Sequence, residues 1–245
     1  LHKSYHKNTT NRDSIFSLFF YKKNIQSILG EIMKKVILFD MDGTLVDTVD
    51  DLASTLNYTL QKFNLPVKTR EEVQSYLGNG IPTLVELAIP KEHKGKKEEA
   101  TKIFKEYYKD HLADFTKPYD EIIELITILQ KKNYRLAVIS NKLQAPLDML
   151  VHKFFGDSFE FVIGQRDDLK QKPDPDSVYL VLKLMNVEKS EALYVGDSDV
   201  DFMTAKNADV DCVSCSWGFK TREQLVSYGS KHIIDKPLEL LNYLK

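Results

Sequence analysis

The stretch VILFDMDGTLVDT, Val36 to Thr48, decides the fold. Its first four residues are continuously apolar, the pattern of a strand buried among other strands. That strand runs straight into two carboxylates, Asp40 and Asp42, separated by one methionine and followed at once by Gly43. Charge is costly inside a core, so the strand must end at a rim where the carboxylates meet water, a cation or hydrogen-bond donors. The Asp-Gly step then supplies a tight turn.

Working outward, apolar or alternating runs recur at Tyr134–Ser140, Phe159–Gly164, Glu191–Asp197, Asp211–Ser216 and Lys231–Asp235. Helically spaced segments separate them: DEIIELITILQKK, LDMLVHKFF, SVYLVLKLM, DVDFMTAKNA and EQLVSYG. Strands alternating with helices imply parallel pairing through right-handed crossovers, hence an α/β, doubly wound, Rossmann-like sheet. In such sheets ligands sit at the carboxyl ends of the strands. The interval from Asp47 to Thr116 breaks the alternation, because DDLASTLNYTLQKF, REEVQSYL, IPTLVELAI and KKEEATKIFKEYYKDHLADF are all helical in spacing. The expected organisation is a helical domain at 47–116 inserted into a core of 33–46 and 117–245, with Val46, Asp47 and Thr48 as the hinge.

Composition narrows the class. With 245 residues, 42% hydrophobic, 29% charged and a formal net charge of -2, the chain has the balance of an ordinary globular protein and no basic field that would draw nucleic acid. Cys212 and Cys215 are the only cysteines. Their C-x-x-C spacing falls in an alternating strand, where positions three apart face opposite sides, and no second Cys or His pair follows to complete a zinc site. Two buried thiols and no disulfide framework point to a reducing, cytoplasmic compartment. Residues 1–32 surround one apolar run, Ile15–Tyr21, far shorter than the roughly 20 residues of a membrane span and without a small-residue cleavage site. They are expected to be an upstream extension, disordered or foreign to the native protein, and no membrane association is expected.

The strand ends carry the chemistry. Asp40 and Asp42 follow the first strand, Ser140 and Asn141 the second, and GDSDVD, with Asp197, Asp199 and Asp201, the fourth. The loop after the third strand leads into KQKPDPD, with Lys172 beside Pro173. Singly, these are ordinary turn and capping residues. Gathered on one rim, the carboxylates repel unless a cation sits among them, and an all-oxygen set suits Mg²⁺. Lys172, Ser140, Asn141 and backbone N–H groups of the Asp42–Gly43 turn are anion-seeking. A divalent cation beside an anion cradle suggests phosphate chemistry.

DMDGTLVDT, VISNK, KPDPD and GDSDVD, in this order and spacing, resemble the four motifs of the haloacid dehalogenase-like hydrolase superfamily. The resemblance implies a Rossmann-like core with an inserted α-helical cap of the C1 type. It implies Asp40 as the nucleophile that takes the phosphoryl group and Asp42 as the general acid and base. Ser140 and Lys172 match the phosphate-binding hydroxyl and ammonium, with Asn141 as a further donor; Asp42, Gly43 and Thr44 complete the phosphate loop, Thr44 orienting the acid-base residue. Asp197 matches the magnesium ligand, joined by the Asp40 carboxylate and the Asp42 carbonyl, with Asp201 behind it or ligating directly. The aspartate at position 42 sets the chain apart from the dehalogenase branch, which lacks one there.

Within the superfamily, YLGNGIPTLVE (Tyr76–Glu86), SNK (Ser140–Lys142), EALYVGDSDVD and SWGFKTREQL resemble phosphoglycolate phosphatases and their close relatives. The implied function is magnesium-dependent hydrolysis of a small phosphorylated metabolite, 2-phosphoglycolate, through an aspartyl-phosphate. The alternatives are a sugar phosphomutase of the beta-phosphoglucomutase kind, a pyrophosphatase and a non-catalytic phosphate sensor. Gly78 and Gly80 read either as a cap loop closing over substrate or as a plain turn between helices.

Overall fold

The computed structural model describes residues 33–244. The extension inferred for residues 1–32 lies outside the described residues. A six-stranded sheet forms the centre, with strand order β5-β4-β1-β6-β7-β8. Its strands are β1 (Val36–Phe39), β4 (Arg135–Leu143), β5 (Phe161–Gln165), β6 (Ala192–Gly196), β7 (Asp211–Cys215) and β8 (Ile233–Ile234). Every pairing in it is parallel. All six strands begin in the runs expected from the sequence, with β4 continuing to Leu143 and β5 to Gln165 beyond them. VILF is central: Val36 to Phe39 pair with Arg135 to Val138 on one side and Ala192 to Val195 on the other.

Strand alternation sorts the core into two layers. Ile37, Phe39, Leu136, Val138, Leu193, Val195, Val213 and Cys215 share one buried cluster, with side chains from α5 (Ile122–Lys131) and α6 (Gln144–Phe155). Val36, Leu38, Ala137, Ile139, Ala192 and Tyr194 share the other, with α7 (Asp176–Met185) and α8 (Asp199–Ala208). A sheet buried on both faces needs continuously apolar strands, which is why VILF carries no polar alternation. Cys212 packs with the second layer and Cys215 lies in the first, as free thiols on opposite faces.

Between β2 (Val46–Asp47) and β3 (Lys117–Pro118) the chain is helical: α1 (Val49–Lys62), α2 (Arg70–Ser75), α3 (Ile81–Ala88), a 3₁₀ turn at Lys91–Lys96, and α4 (Lys97–Tyr108). A further α-helix, α9 (Arg222–Tyr228), lies between β7 and β8. Sequence spacing located the four α-helices of the insertion but not the ribbon at its base. Val46 pairs with Pro118 and Asp47 with Lys117, antiparallel, so the proposed hinge segment is itself partly strand. Two residues per strand leave too short a period to read. The stem is also pinned by Asp51, a buried carboxylate on α1 that accepts from Phe115 N–H, Thr116 N–H and the Thr116 hydroxyl. Each contact satisfies a backbone or hydroxyl donor that burial would otherwise leave costly. No helix among the described residues is long and apolar enough to cross a membrane.

Candidate active site

Four strand ends and their following loops build the site. β1 delivers Asp40, whose N–H still bonds to Val195 O at 2.9 Å, so the nucleophile candidate is fixed by the sheet itself. β4 delivers Ser140, Asn141 and Lys142 where its register with β5 shifts, between Ile139 and Leu143. Such an irregularity re-aims side chains that strict pleating would alternate across the sheet. The loop after β5 delivers Lys172. Asp197 directly follows β6, and Ser198 caps α8 by accepting from Asp201 N–H, while Asp201 returns a bond to Ser198 N–H at 3.1 Å. This reciprocal cap locks the acidic motif to the helix start.

The electrostatic centre is a buried cluster. Asp40, Asp197 and Asp201 offer oxygens that all lie within 4.8 Å of one another. One ammonium serves two of them: Lys172 Nζ lies 2.8 Å from Asp40 and 2.6 Å from Asp201, and also donates to Ile139 O at 3.2 Å. Burial would depress the Lys172 pKa, but Asp201 and Asp40 outweigh it and hold it well above the ordinary lysine value. Burial, then the Asp201 charge, raises Asp40 from 3.8 to about 7 even with Lys172 pulling it down. Asp197 is raised further by burial and by Asp201 and Asp40, with only hydrogen bonds from Phe219 N–H (2.7 Å) and the Thr44 hydroxyl (3.0 Å) opposing the shift. Three buried carboxyl groups lie together with one lysine, which touches only Asp40 and Asp201, so their charged forms need further positive charge beside them, which a divalent cation would bring.

Several site residues make contacts that the resemblance did not specify. Thr44 is fully buried and donates to Asp197 rather than to Asp42, because the turn at Met41–Val46 carries it to the end of β6. Gly43 does not present its N–H to a ligand: that group bonds to Val46 O at 2.9 Å inside the turn. Its glycine character serves proximity instead. At φ +91°, a Cβ here would lie 2.5 Å from an Asp197 oxygen, so only glycine lets the two loops touch. Asn141 clamps Lys172, its amide donating to Lys172 O at 3.1 Å and its oxygen accepting from Lys172 N–H at 2.9 Å. Asp201 spends one oxygen on Lys172 and the other on Ser198, which places it behind the cluster rather than in front. Ser140 accepts from Lys142 N–H at 3.2 Å, leaving its own O–H to donate.

Two residues were missed as site members. Lys142 Nζ lies 3.0 Å from Asp42 and 2.8 Å from the Tyr108 hydroxyl, so the acid-base candidate is ion-paired and linked through lysine to α4 of the insertion. Burial opposes the charge on Lys142, yet Asp42 and Tyr108 raise its pKa overall. Its adjacency to Ser140 and Asn141 was the available signal. Tyr194 sits inside β6 with its hydroxyl 3.2 Å from Lys172 and 3.3 Å from Asp201. A tyrosine within an apolar strand needs a partner for its hydroxyl, which is the clue it offered.

These groups open into a cleft of about 830 Å³, part of it open to solvent, between the sheet rim and the insertion. Asp40, Asp42, Ser140, Lys142, Lys172 and Asp197 line the rim side. The opposite wall is Leu52, Leu77, Ile81, Pro82 and Leu84, with Gly78 and Gly80 at its edge and Lys105 from α4.

The family described as haloacid dehalogenase-like hydrolase matches residues 37–215 of this chain. The chain belongs to that family. It is 33% identical over 217 residues to a phosphoglycolate phosphatase of Pseudomonas savastanoi pv. phaseolicola, covering 85% of this chain and 79% of that one. It is 32% identical over 209 residues to pyrophosphatase PpaX of Listeria welshimeri, covering 84% and 94%. A solved structure from Lactobacillus delbrueckii subsp. bulgaricus superposes with a TM-score of 0.81 at 30% identity, covering 86% of this chain and 98% of that one. As an HAD-like hydrolase of the phosphoglycolate-phosphatase-like group, the chain falls among the family's phosphatases, and its helical insertion is the cap of the fold.

Proposed function

We propose that this protein is a magnesium-dependent phosphomonoesterase that hydrolyses 2-phosphoglycolate through a phosphoryl group carried on Asp40. The observation that carries the reading is the pairing at the rim: Asp40 held at 2.8 Å by Lys172, with Asp42 held at 3.0 Å by Lys142 two residues on, both facing the cleft. Asp40 is placed to attack phosphorus, Lys172 and Ser140 to hold the anionic oxygens, and Asp42 to protonate the departing alkoxide. In the second half, Asp42 takes a proton from the water that releases phosphate from Asp40. Such acid-base assistance contributes roughly 10²- to 10⁴-fold.

The residues present fit a magnesium ion. The donor set is all oxygen, and burial and mutual repulsion raise the Asp40 and Asp197 carboxyls for want of positive charge beyond Lys172, which a divalent cation would bring. Asp40, Asp197 and the Asp42 carbonyl would hold the ion, with Asp201 behind them; once bound it supplies positive charge that offsets repulsion between carboxylate and phosphate. In this reading residues 47–116 are the cap, 33–46 with 117–245 are the catalytic core, and the β2–β3 ribbon is the hinge. The free cysteines support a cytoplasmic location in this reading.

For substrate choice the informative residue is Lys105. The neighbouring Lys97 and Lys102 pair with Glu86 and Glu106, whereas Lys105 has no ion-pair partner among the described residues and lines the cleft. A cation on the cap wall, across from the phosphate end, suits a substrate with a second anionic group, which the carboxylate of 2-phosphoglycolate provides. A second reading, pyrophosphate hydrolysis, is favoured by the same lysine and by the likeness to PpaX. Phosphate release from a panel containing 2-phosphoglycolate, pyrophosphate and sugar phosphates, by wild type and Asp40→Asn in Mg²⁺, tests both. Hydrolysis of no phosphomonoester by the wild type overturns the proposal. Interconversion of sugar phosphates without phosphate release marks a mutase, and binding without turnover marks a sensor.

A further inference from the structure

A second path leads from the cap into the acidic cluster, and the proposed chemistry makes no use of it. Gln74 on α2 donates from Nε2 to the Phe219 carbonyl at 3.1 Å and the Gly218 carbonyl at 3.4 Å. Both belong to the loop after β7, and the Phe219 N–H is the donor that holds Asp197 at 2.7 Å. That loop is wedged against the site: a Cβ on Gly218 would lie 2.3 Å from Gly43 O and 2.4 Å from the Asp197 Cβ. A displacement of Gly218 or Phe219 is therefore a displacement of Asp197's surroundings.

The Gln74 amide has only one workable orientation. Its oxygen accepts from Arg70 Nη1 at 3.2 Å, and guanidinium offers donors only, so the NH₂ group must face the loop carbonyls. Arg70 is in turn held by Asp50 at 2.9 Å and by Asp47 at 2.8 Å, and Asp47 is the last residue of β2, where the chain leaves the sheet. The run Asp47, Arg70, Gln74, Phe219, Asp197 thus joins the hinge to the cluster through bonds that cross between cap and core.

We propose that Gln74 is a positioning residue: its bonds to the Gly218–Phe219 carbonyls hold the Phe219 N–H on Asp197, so that seating of the cap and affinity for the divalent cation rise and fall together. The inference rests on the reading of Asp197 as a metal ligand. Coupling of this kind is reciprocal, so bound metal stabilises the seated cap by the same factor that the seated cap tightens metal.

The test uses the full chain, Gln74→Leu and Gln74→Glu. Leucine keeps the size without donors, and glutamate keeps the acceptor for Arg70 but places oxygen against the loop carbonyls. Mg²⁺ is titrated by calorimetry without substrate, and acrylamide quenching follows Trp217, the only tryptophan, which anchors the same loop by donating to Thr44 O at 3.0 Å. Both variants are expected to stay folded in EDTA, to bind Mg²⁺ about two- to tenfold more weakly, the scale of losing the pair of bonds to the loop carbonyls, and to expose Trp217 more to quencher. Equal Mg²⁺ affinity in wild type and both variants overturns the role of Gln74 alone. A wild type that binds no Mg²⁺ overturns the reading of Asp197, and the proposal with it.

Discussion

Replacing Lys172 with methionine removes the one cation that Asp40 and Asp201 share while roughly keeping the side chain's bulk. Its ammonium lies 2.8 and 2.6 Å from the two carboxylates, with side-chain exposures of 4% for the lysine and 10% and 1% for the aspartates. Breaking a buried pair by deleting one partner costs about 3–5 kcal/mol when the orphaned charge stays ionised. Here that condition depends on pH. Asp40 has a folded pKa of about 7 against an ordinary 3.8, so the folded protein binds the extra proton between those values. Its favourable contribution is complete below about pH 4 and is lost as pH rises through 7, a swing on the order of 4 kcal/mol for the metal-free protein. Lys172 is among the groups holding the Asp40 pKa down, so its loss moves the window upward and lets the variant escape by taking up protons. Urea unfolding in EDTA is expected to find Lys172→Met about 3–5 kcal/mol less stable at pH 8.5, and less than half as far below wild type at pH 5.5. An equal deficit at both pH values, or none at pH 8.5, would refute the electrostatic account.

Asp197→Asn removes a charge while keeping one acceptor oxygen, enough for the Phe219 N–H, with its NH₂ turned to the Thr44 hydroxyl, and should raise the Mg²⁺ concentration for half-maximal activity at least tenfold; unchanged magnesium dependence would count against its role. Gly218→Ala puts a methyl group 2.3 Å from a backbone oxygen and 2.4 Å from the Asp197 Cβ, neither of which can swing away. Thermal or urea unfolding should show a loss of roughly 1–3 kcal/mol, accompanied by weaker Mg²⁺ binding. Lys105→Ala should raise KM for 2-phosphoglycolate roughly five- to tenfold with kcat little changed, because the side chain faces the cleft from the cap and touches no reacting group. Steady-state kinetics against 2-phosphoglycolate and a singly charged aryl phosphate measures this, and a matched change for both would deny Lys105 a part in recognising the second anion.

Much of the fold was legible because it follows from short-range chemistry. VILF is apolar without alternation because both faces of the central strand are covered, and Ile37 and Val36 do enter opposite layers. The insertion's helices were visible in their spacing, while the β2–β3 ribbon was not, since two residues per strand carry no period. At the site, the residues Asp40, Asp42, Ser140, Lys172, Asp197 and Asp201 could be named from their positions at strand ends. What each touches could not. The resemblance implies Thr44 as a partner for Asp42, yet the turn carries it to Asp197, 153 residues away. Asn141 reads as a ligand donor, yet it clamps the Lys172 backbone.

The amino-acid sequence by itself determined the order of strands and helices, the insertion point and the chemical types gathered on the rim, because propensity, periodicity and turn chemistry act over a few residues. Only the tertiary structure decided the pairings: Lys142 with Asp42 and Tyr108, Tyr194 beneath Lys172, Gly43 and Gly218 pressed against Asp197, and Gln74 on the Phe219 loop. Those contacts join segments tens to more than a hundred residues apart, and their existence depends on how the sheet, the loops and the cap come together in space. No local pattern in the chain encodes such an approach, and the site's charge balance is set by it.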